Sequence, residues 1–192
     1  MEKTVLLVGL GNIGKEYTGT RHNIGFVAAD EFAANNNFPA WTEKKDLKCQ
    51  LTKQSVGGIR TILIKPATFM NKSGEAVRAV QQFFKLANSQ TVVIHDELDI
   101  PFGQIRTRKG GGSAGNNGVA SLIQHIGEDF ARIRIGTANE VSEKADSADF
   151  VLGKFTKSEQ EQLPKLSREV STLISEYLAT GQLSHDTRSF IL

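Results

Sequence analysis

The sequence predicts one α/β domain over residues 1–192, built on a mixed, largely parallel, twisted sheet with helices covering both faces. Three observations predict it. Strand-like and helix-like segments alternate along the chain. Two of the strands are short, nearly continuous apolar runs, the pattern of strands buried on both sides. No repeat, low-complexity segment or linker divides a length that suits a single domain able to bury its apolar surface without disulfides or metal.

Residues 4–10 read as the first buried strand. Residues 24–35 follow as a helix, with Ile24, Val27, Ala28 and Phe32 at helical spacing. Leu47, Cys49 and Leu51 alternate with polar residues, Gly57 and Gly58 make a turn, and 59–65 completes a hairpin. Ser73 opens a second helix carrying Ala76, Val77, Val80, Phe83 and Phe84 on one side. Residues 91–95 form a short apolar strand, 102–108 another, 116–126 a helix and 131–136 a further strand. In the tail, Thr156 and Glu159 have capping-box spacing before a helix through Leu163, Leu166, Val170, Leu173, Ile174 and Tyr177, which Gly181 stops.

Composition narrows the function. A hydrophobic fraction of 39% and a charged fraction of 23% are those of an ordinary globular protein, and a net charge of +2 excludes a polycation, so any nucleic-acid contact must be a local patch. The single cysteine, Cys49, has no partner for an internal disulfide, and His22, His95, His125 and His185 are too scattered for a metal site. The apolar run at 5–8 is too short for a signal or membrane segment, which places the chain in a reducing cytoplasm.

Gly9, Gly11 and Gly14 make a literal G-x-G-x-x-G after a strand, with Asp30 at roughly the distance of a ribose-binding acid. The context argues against a dinucleotide. The helix should begin inside the motif, yet 17–23 is loop-like and Asp30 falls within a helix. The glycines instead let backbone approach something closely.

Ligands of parallel α/β sheets gather beyond the carboxyl ends of the strands. Polar side chains follow several of those ends: Asn12, Asn71, Asp96 and, after Gly110, Gly111 and Gly112, Asn117. His22 lies on the loop leaving the first strand, and a histidine held by an aspartate is a general base. Each residue also has a plainer reading. His22, Asn71 and Asn117 are placed to cap helices, Asp96 to pair with a lysine, and the glycine run to be a turn. Capping does not explain why so many strand ends carry an amide or a carboxylate.

The stretches VGLGNIG (8–14), EY (16–17), TRHNIG (20–25), KPATFMNKSG (65–74), HDELDIP (95–101), GGG (110–112) with NG (117–118), and RIRIG (132–136) resemble bacterial peptidyl-tRNA hydrolase, in order and over most of the chain. The resemblance implies hydrolysis of the ester joining a peptide to the 3′-terminal ribose of tRNA, by a monomer without metal or cofactor and with no membrane association. It implies that His22 activates water and Asp96 orients its imidazole. Asn12, Tyr17, Met70, Asn71 and Asn117 then belong to the substrate site, and Arg108, Arg134 and Lys109 to the tRNA site, with Arg108 and Arg134 as a clamp on a terminal phosphate. Without the resemblance, these basic residues read equally well as a solvated edge.

Two positions depart from the family pattern, since Ser113 and Asn116 stand where histidines are usual; Thr137 and Ala138 replace a Gly-x-Gly pattern, and the asparagine-rich close is missing. An ester suits one base, one water and fixed donors, and no nucleophile elbow is present. Two other readings remain: a non-catalytic RNA-binding relative, and a nucleoside phosphorylase of similar topology, which gives no reason for the three asparagines.

Overall fold

In the computed structural model, which describes residues 3–191, the apolar run at the N-terminus becomes the centre of an eight-stranded sheet. The first strand, β1 (Thr4–Gly9), is buried from Val5 onward because both of its faces are covered. Leu7 points into one apolar layer, and Leu6 and Val8 into the other. Burying each such side chain contributes about 1.5–3 kcal/mol.

The sheet continues with β2 (Thr42–Lys44), β3 (Cys49–Val56), β4 (Ile59–Pro66), β5 (Thr91–Pro101), β6 (Gln104–Lys109), β7 (Ala131–Ala138) and β8 (Asp186–Ser189), in the order β2-β3-β4-β1-β5-β7-β6-β8. Strands β4, β1, β5 and β7 are parallel neighbours, whereas β2, β3, β6 and β8 add antiparallel edges. Helices α1 (Ile24–Asn35) and α5 (Lys157–Thr180) pack on one face. Helices α2 (Ser73–Phe84) and α3 (Asn117–Ile126) cover the other, and a short helix, α4 (Ser147–Leu152), sits beyond the strand ends.

The capping box at α5 forms as its spacing predicts: Glu159 N donates to Thr156 Oγ1 at 3.2 Å and Thr156 N to Glu159 Oε2 at 2.7 Å, and Gly181 closes the helix at φ 76°. Several expectations need correction. Strand β5 runs past His95 to Pro101, because its polar end keeps pairing with β7. Phe83 is 63% exposed, while Phe84 is the phenylalanine that packs against the layer under α2. Strands β2 and β8 and helix α4 are additions that the apolar pattern does not announce.

The glycine motif has a packing role. A Cβ on Gly9 would lie 2.4 Å from the Gly25 carbonyl oxygen, and one on Gly25 would lie 2.4 Å from that of Ile94. Absence of side chains at both positions lets the start of α1 press onto β1 and β5. Helix α1 begins only at Ile24, well beyond the motif, and Asp30 pairs with Lys65 at 2.7 Å.

Candidate active site

The close approach of α1 to β5 sets the site. His22 lies in a single 3-10 turn (Arg21–Asn23) immediately before α1, and Asp96 projects from β5 on the same side. His22 Nδ1 is 2.7 Å from Asp96 Oδ2, with the two residues 7% and 2% exposed. A carboxylate only accepts, so Nδ1 carries the ring proton and Nε2 keeps its lone pair. His22 caps no helix, and Asp96 pairs with no lysine.

Both groups line a cleft of about 290 Å³ with Glu97, Asp99, Asn116, Asn117 and, from α4, Val151. Burial pushes the Glu97 carboxyl above the ordinary range. Asn117, the first residue of α3, is exposed at the cleft, and it is Asn116 that caps the helix, its Oδ1 accepting from Val119 N at 3.0 Å. Asn116 Nδ2 donates to Asp96 Oδ1 and to the Asp96 carbonyl oxygen, each at 3.0 Å.

Hydrogen bonds through Asn23 link Asn12 and Met70 to the His22 turn, although neither of them, nor Tyr17 or Asn71, lines the His22 cleft. Asn23 Oδ1 accepts from Asn12 N at 2.8 Å, Asn23 Nδ2 donates to Asn12 O at 2.9 Å, and Asn12 Oδ1 accepts from Met70 N at 2.7 Å. Asn12 thereby fixes the 3-10 turn Met70–Lys72, on which Asn71 is exposed, and itself lines a separate cavity of about 280 Å³ that shares no residue with the His22 cleft. Asn71 caps nothing: the residue before α2 is Lys72, which makes no side-chain cap. Met70 is buried in the layer beneath α2 and α3. Tyr17 stands edge-on to the exposed Phe69, ring centroids 6.4 Å apart, away from the His22 cleft.

The basic residues separate into two groups. Arg106 lies opposite Arg134 and Arg108 opposite Arg132 across β6 and β7, on the sheet face that carries His95. Among the described residues none of the four has a carboxylate partner, and the Nε of each is buried without a hydrogen bond. Like charges placed directly opposite destabilise a sheet, and Arg132, the most deeply buried of the four, spends its guanidinium on backbone carbonyls. Burial, then Arg108 and Arg134, pull the Arg132 guanidinium down to about 10. Lys109 alternates to the opposite face and pairs with Asp129 at 3.2 Å. The glycine run presents carbonyls rather than N–H groups to this patch, since Arg132 donates to Gly111 O and Gly112 O.

Two further residues position the site. Arg21 is 3% exposed, donates to Glu159 Oε2 at 2.7 Å and Thr137 O at 3.3 Å, and lies over the Phe150 and Phe155 rings at 4.5 and 4.9 Å, tying the His22 turn to α4, α5 and β7. Burial raises the Glu159 carboxyl, but hydrogen bonds from Arg21, Asn139 and Thr156 N hold it below the ordinary range. Asn23 is the other. Both stand in the TRHN block, yet a buried arginine is indistinguishable in sequence from a solvated one. Cys49 is buried, its thiol pushed up to about 12, and far from nucleophilic. Among the described residues no cluster of His, Cys, Asp or Glu is arranged to hold a metal, and no helix is long and apolar enough to cross a membrane.

Comparison with known proteins agrees with this architecture. The family model described as peptidyl-tRNA hydrolase matches residues 6–190. The chain is 43% identical to a peptidyl-tRNA hydrolase of Gloeobacter violaceus over 190 residues, covering 96% of this chain and 95% of the relative, and 44% identical to that of Sphingopyxis alaskensis over 176 residues, covering 92% and 91%. The crystal structure of peptidyl-tRNA hydrolase from Acinetobacter baumannii superposes with a TM-score of 0.81 at 32% identity, covering 94% of this chain and 93% of that one. With the family model spanning nearly the whole sequence and relatives above 40% identity along most of it, this chain belongs to the peptidyl-tRNA hydrolase family.

Proposed function

We propose that this chain cleaves the ester between a peptide, or an N-blocked aminoacyl group, and the 3′-terminal ribose of tRNA, by attack of a water that His22 deprotonates. One observation carries the reading: His22 Nδ1 is held at 2.7 Å by Asp96 in an open cleft, which leaves Nε2 as the accepting nitrogen. The water proton passes to Nε2 as the water oxygen bonds to the ester carbon. Side-chain amides of Asn12, Asn71 and Asn117 hold the substrate around the ester and stabilise the oxyanion. The imidazolium then returns its proton to the departing 3′-oxygen, giving free peptide and tRNA. Asp96 steadies the transient positive charge.

Arg108 and Arg134 take the terminal tRNA phosphate, with Arg106 beside them, while the fully buried Arg132 braces the glycine run through the Gly111 and Gly112 carbonyls. Lys109, on the other face, adds long-range attraction at most. Met70 shapes the site through its backbone and its packing, and Tyr17 through its contact with Phe69. The enzyme acts as a cytoplasmic monomer. A non-catalytic RNA-binding role gains no support from relatives named as hydrolases.

Incubating the purified protein with an N-blocked aminoacyl-tRNA tests this. Release of free tRNA at a rate proportional to enzyme is expected. Binding of the tRNA with no release would overturn the proposal.

A further inference from the structure

Asp96 has two carboxylate oxygens, and the reaction above uses one. Oδ2 faces His22 at 2.7 Å, while Oδ1 accepts from Asn116 Nδ2 at 3.0 Å. The same nitrogen donates to the Asp96 carbonyl oxygen at 3.0 Å, so the amide grips side chain and backbone together. Asn116 is only 9% exposed. Its orientation is also fixed, because Oδ1 accepts from Val119 N at 3.0 Å as the cap of α3. Exchanging oxygen and nitrogen would set two donors against each other at Val119 and two acceptors against each other at Asp96. The helix cap therefore dictates that a donor faces the carboxylate.

We infer that Asn116 is a positioning residue for the hydrolysis: it locks the plane of the Asp96 carboxylate against His22 Nδ1 and draws off part of its charge. Two consequences follow. Oδ2 meets the ring proton squarely, so the imidazole keeps one tautomer and one orientation. The partly neutralised carboxylate also binds the imidazolium less tightly than a bare one, so His22 releases the proton it has taken. The inference rests on the assignment of His22 as the base.

The other ionisable groups near the pair are Glu97 and Asp99, which line the cleft from β5, His95, whose Nδ1 donates to the Asp96 carbonyl at 2.7 Å, and Arg21, engaged by Glu159. From α3 and α4 the cleft receives only uncharged Asn117, Ser147, Ala148 and Val151. None of these changes in the variants that test the proposal.

Asn116→Ser and Asn116→Asp both keep a good helix cap while removing the Nδ2 amide that reaches Asp96, the serine hydroxyl being too short to replace it. In Asn116→Ser, kcat on N-blocked aminoacyl-tRNA should fall about tenfold, the weight of one hydrogen bond to a charged group, with KM little changed. The acid limb of kcat/KM should move upward by on the order of one pH unit, because a carboxylate without its donor holds the protonated ring more firmly. Asn116→Asp should move it further by adding a second negative charge. An acid limb that stays in place in both folded variants, whatever happens to the melting temperature, overturns the inference and leaves Asn116 a cap alone. His22→Ala, assayed alongside, separates the two levels: if it retains turnover the base assignment fails, whereas if it is inactive and the acid limb has not moved, only the role of Asn116 fails.

Discussion

Replacing Asp96 by asparagine changes no shape and moves one proton. Asn116 Nδ2 lies 3.0 Å from Asp96 Oδ1 and cannot turn, so the introduced amide must offer its oxygen there and its NH2 to His22 Nδ1, 2.7 Å from the present Oδ2. Nδ1 then has to accept, the ring proton moves to Nε2, and the nitrogen meant to take a proton from water already bears one. Turning the amide the other way sets NH2 against NH2 in a buried place, at about 1–3 kcal/mol for the unmade bond. The carboxylate's support of the imidazolium disappears as well, about 6 kcal/mol at 2.7 Å with an effective dielectric constant of about 20. Only part of that attraction survives desolvation, and the comparable tautomer error in a serine protease triad costs about 10⁴-fold. We expect kcat in Asp96→Asn to fall about 10³–10⁴-fold, about 4–5.5 kcal/mol of barrier. The assay is single-turnover cleavage of an N-blocked aminoacyl-tRNA, with thermal melting and affinity for uncharged tRNA as controls for folding and binding. A folded Asp96→Asn protein within tenfold of the wild-type rate would refute the tautomer argument.

Arg21→Met should cost about 3 kcal/mol in urea unfolding, at the low end for breaking a buried ion pair because Glu159 keeps its bonds from Asn139 and Thr156, and it should lower kcat more than it raises KM; a loss below about 1 kcal/mol would show that Arg21 does not anchor the turn. Charge reversal at Arg108 and Arg134 should raise KM for tRNA substrates and flatten its dependence on salt by about one phosphate contact each, and an unchanged slope would discard the clamp. Burial keeps the His95 imidazole down at about 4, below the roughly 6.5 of an unfolded chain, so on acidification the unfolded state takes up a proton that the folded state refuses. The contribution is steady above about pH 6.5 and stability falls by up to roughly 3 kcal/mol toward pH 4; denaturation midpoints measured from pH 7 to 4 should decline less steeply in His95→Gln, and parallel curves would contradict the assignment.

The parts of the fold readable in the sequence are those whose burial is periodic. Strand β1, helices α1 and α3 and the capping box of α5 each carry their own signal, because apolar spacing and cap chemistry are local. Strands β2 and β8 are short and polar, and α4, at six residues, is too short for its apolar end to show a helical period; all three exist because neighbours offer them backbone partners or a surface to lie on. Strand β5 looked shorter than it is for the same reason: HDELD is polar, yet β7 continues to pair with it. At the site, the pairing of His22 with Asp96 was legible from position and residue type. The division of labour between Asn116 and Asn117 was not, since neighbouring asparagines at a helix start differ only in which one faces inward. Nor was the departure of Lys109 from Arg108, although strand alternation alone demands it. Arg21 was hidden because its burial depends on Glu159, Phe150 and Phe155, all distant in sequence.

The most direct measurement is the single-turnover rate of His22→Ala, with enzyme in excess over an N-blocked aminoacyl-tRNA and affinity for uncharged tRNA measured on the same preparation. If the imidazole takes the water's proton, affinity stays at the wild-type value while cleavage slows by about 10²–10⁴-fold. Cleavage near the wild-type rate by the folded variant would contradict the account.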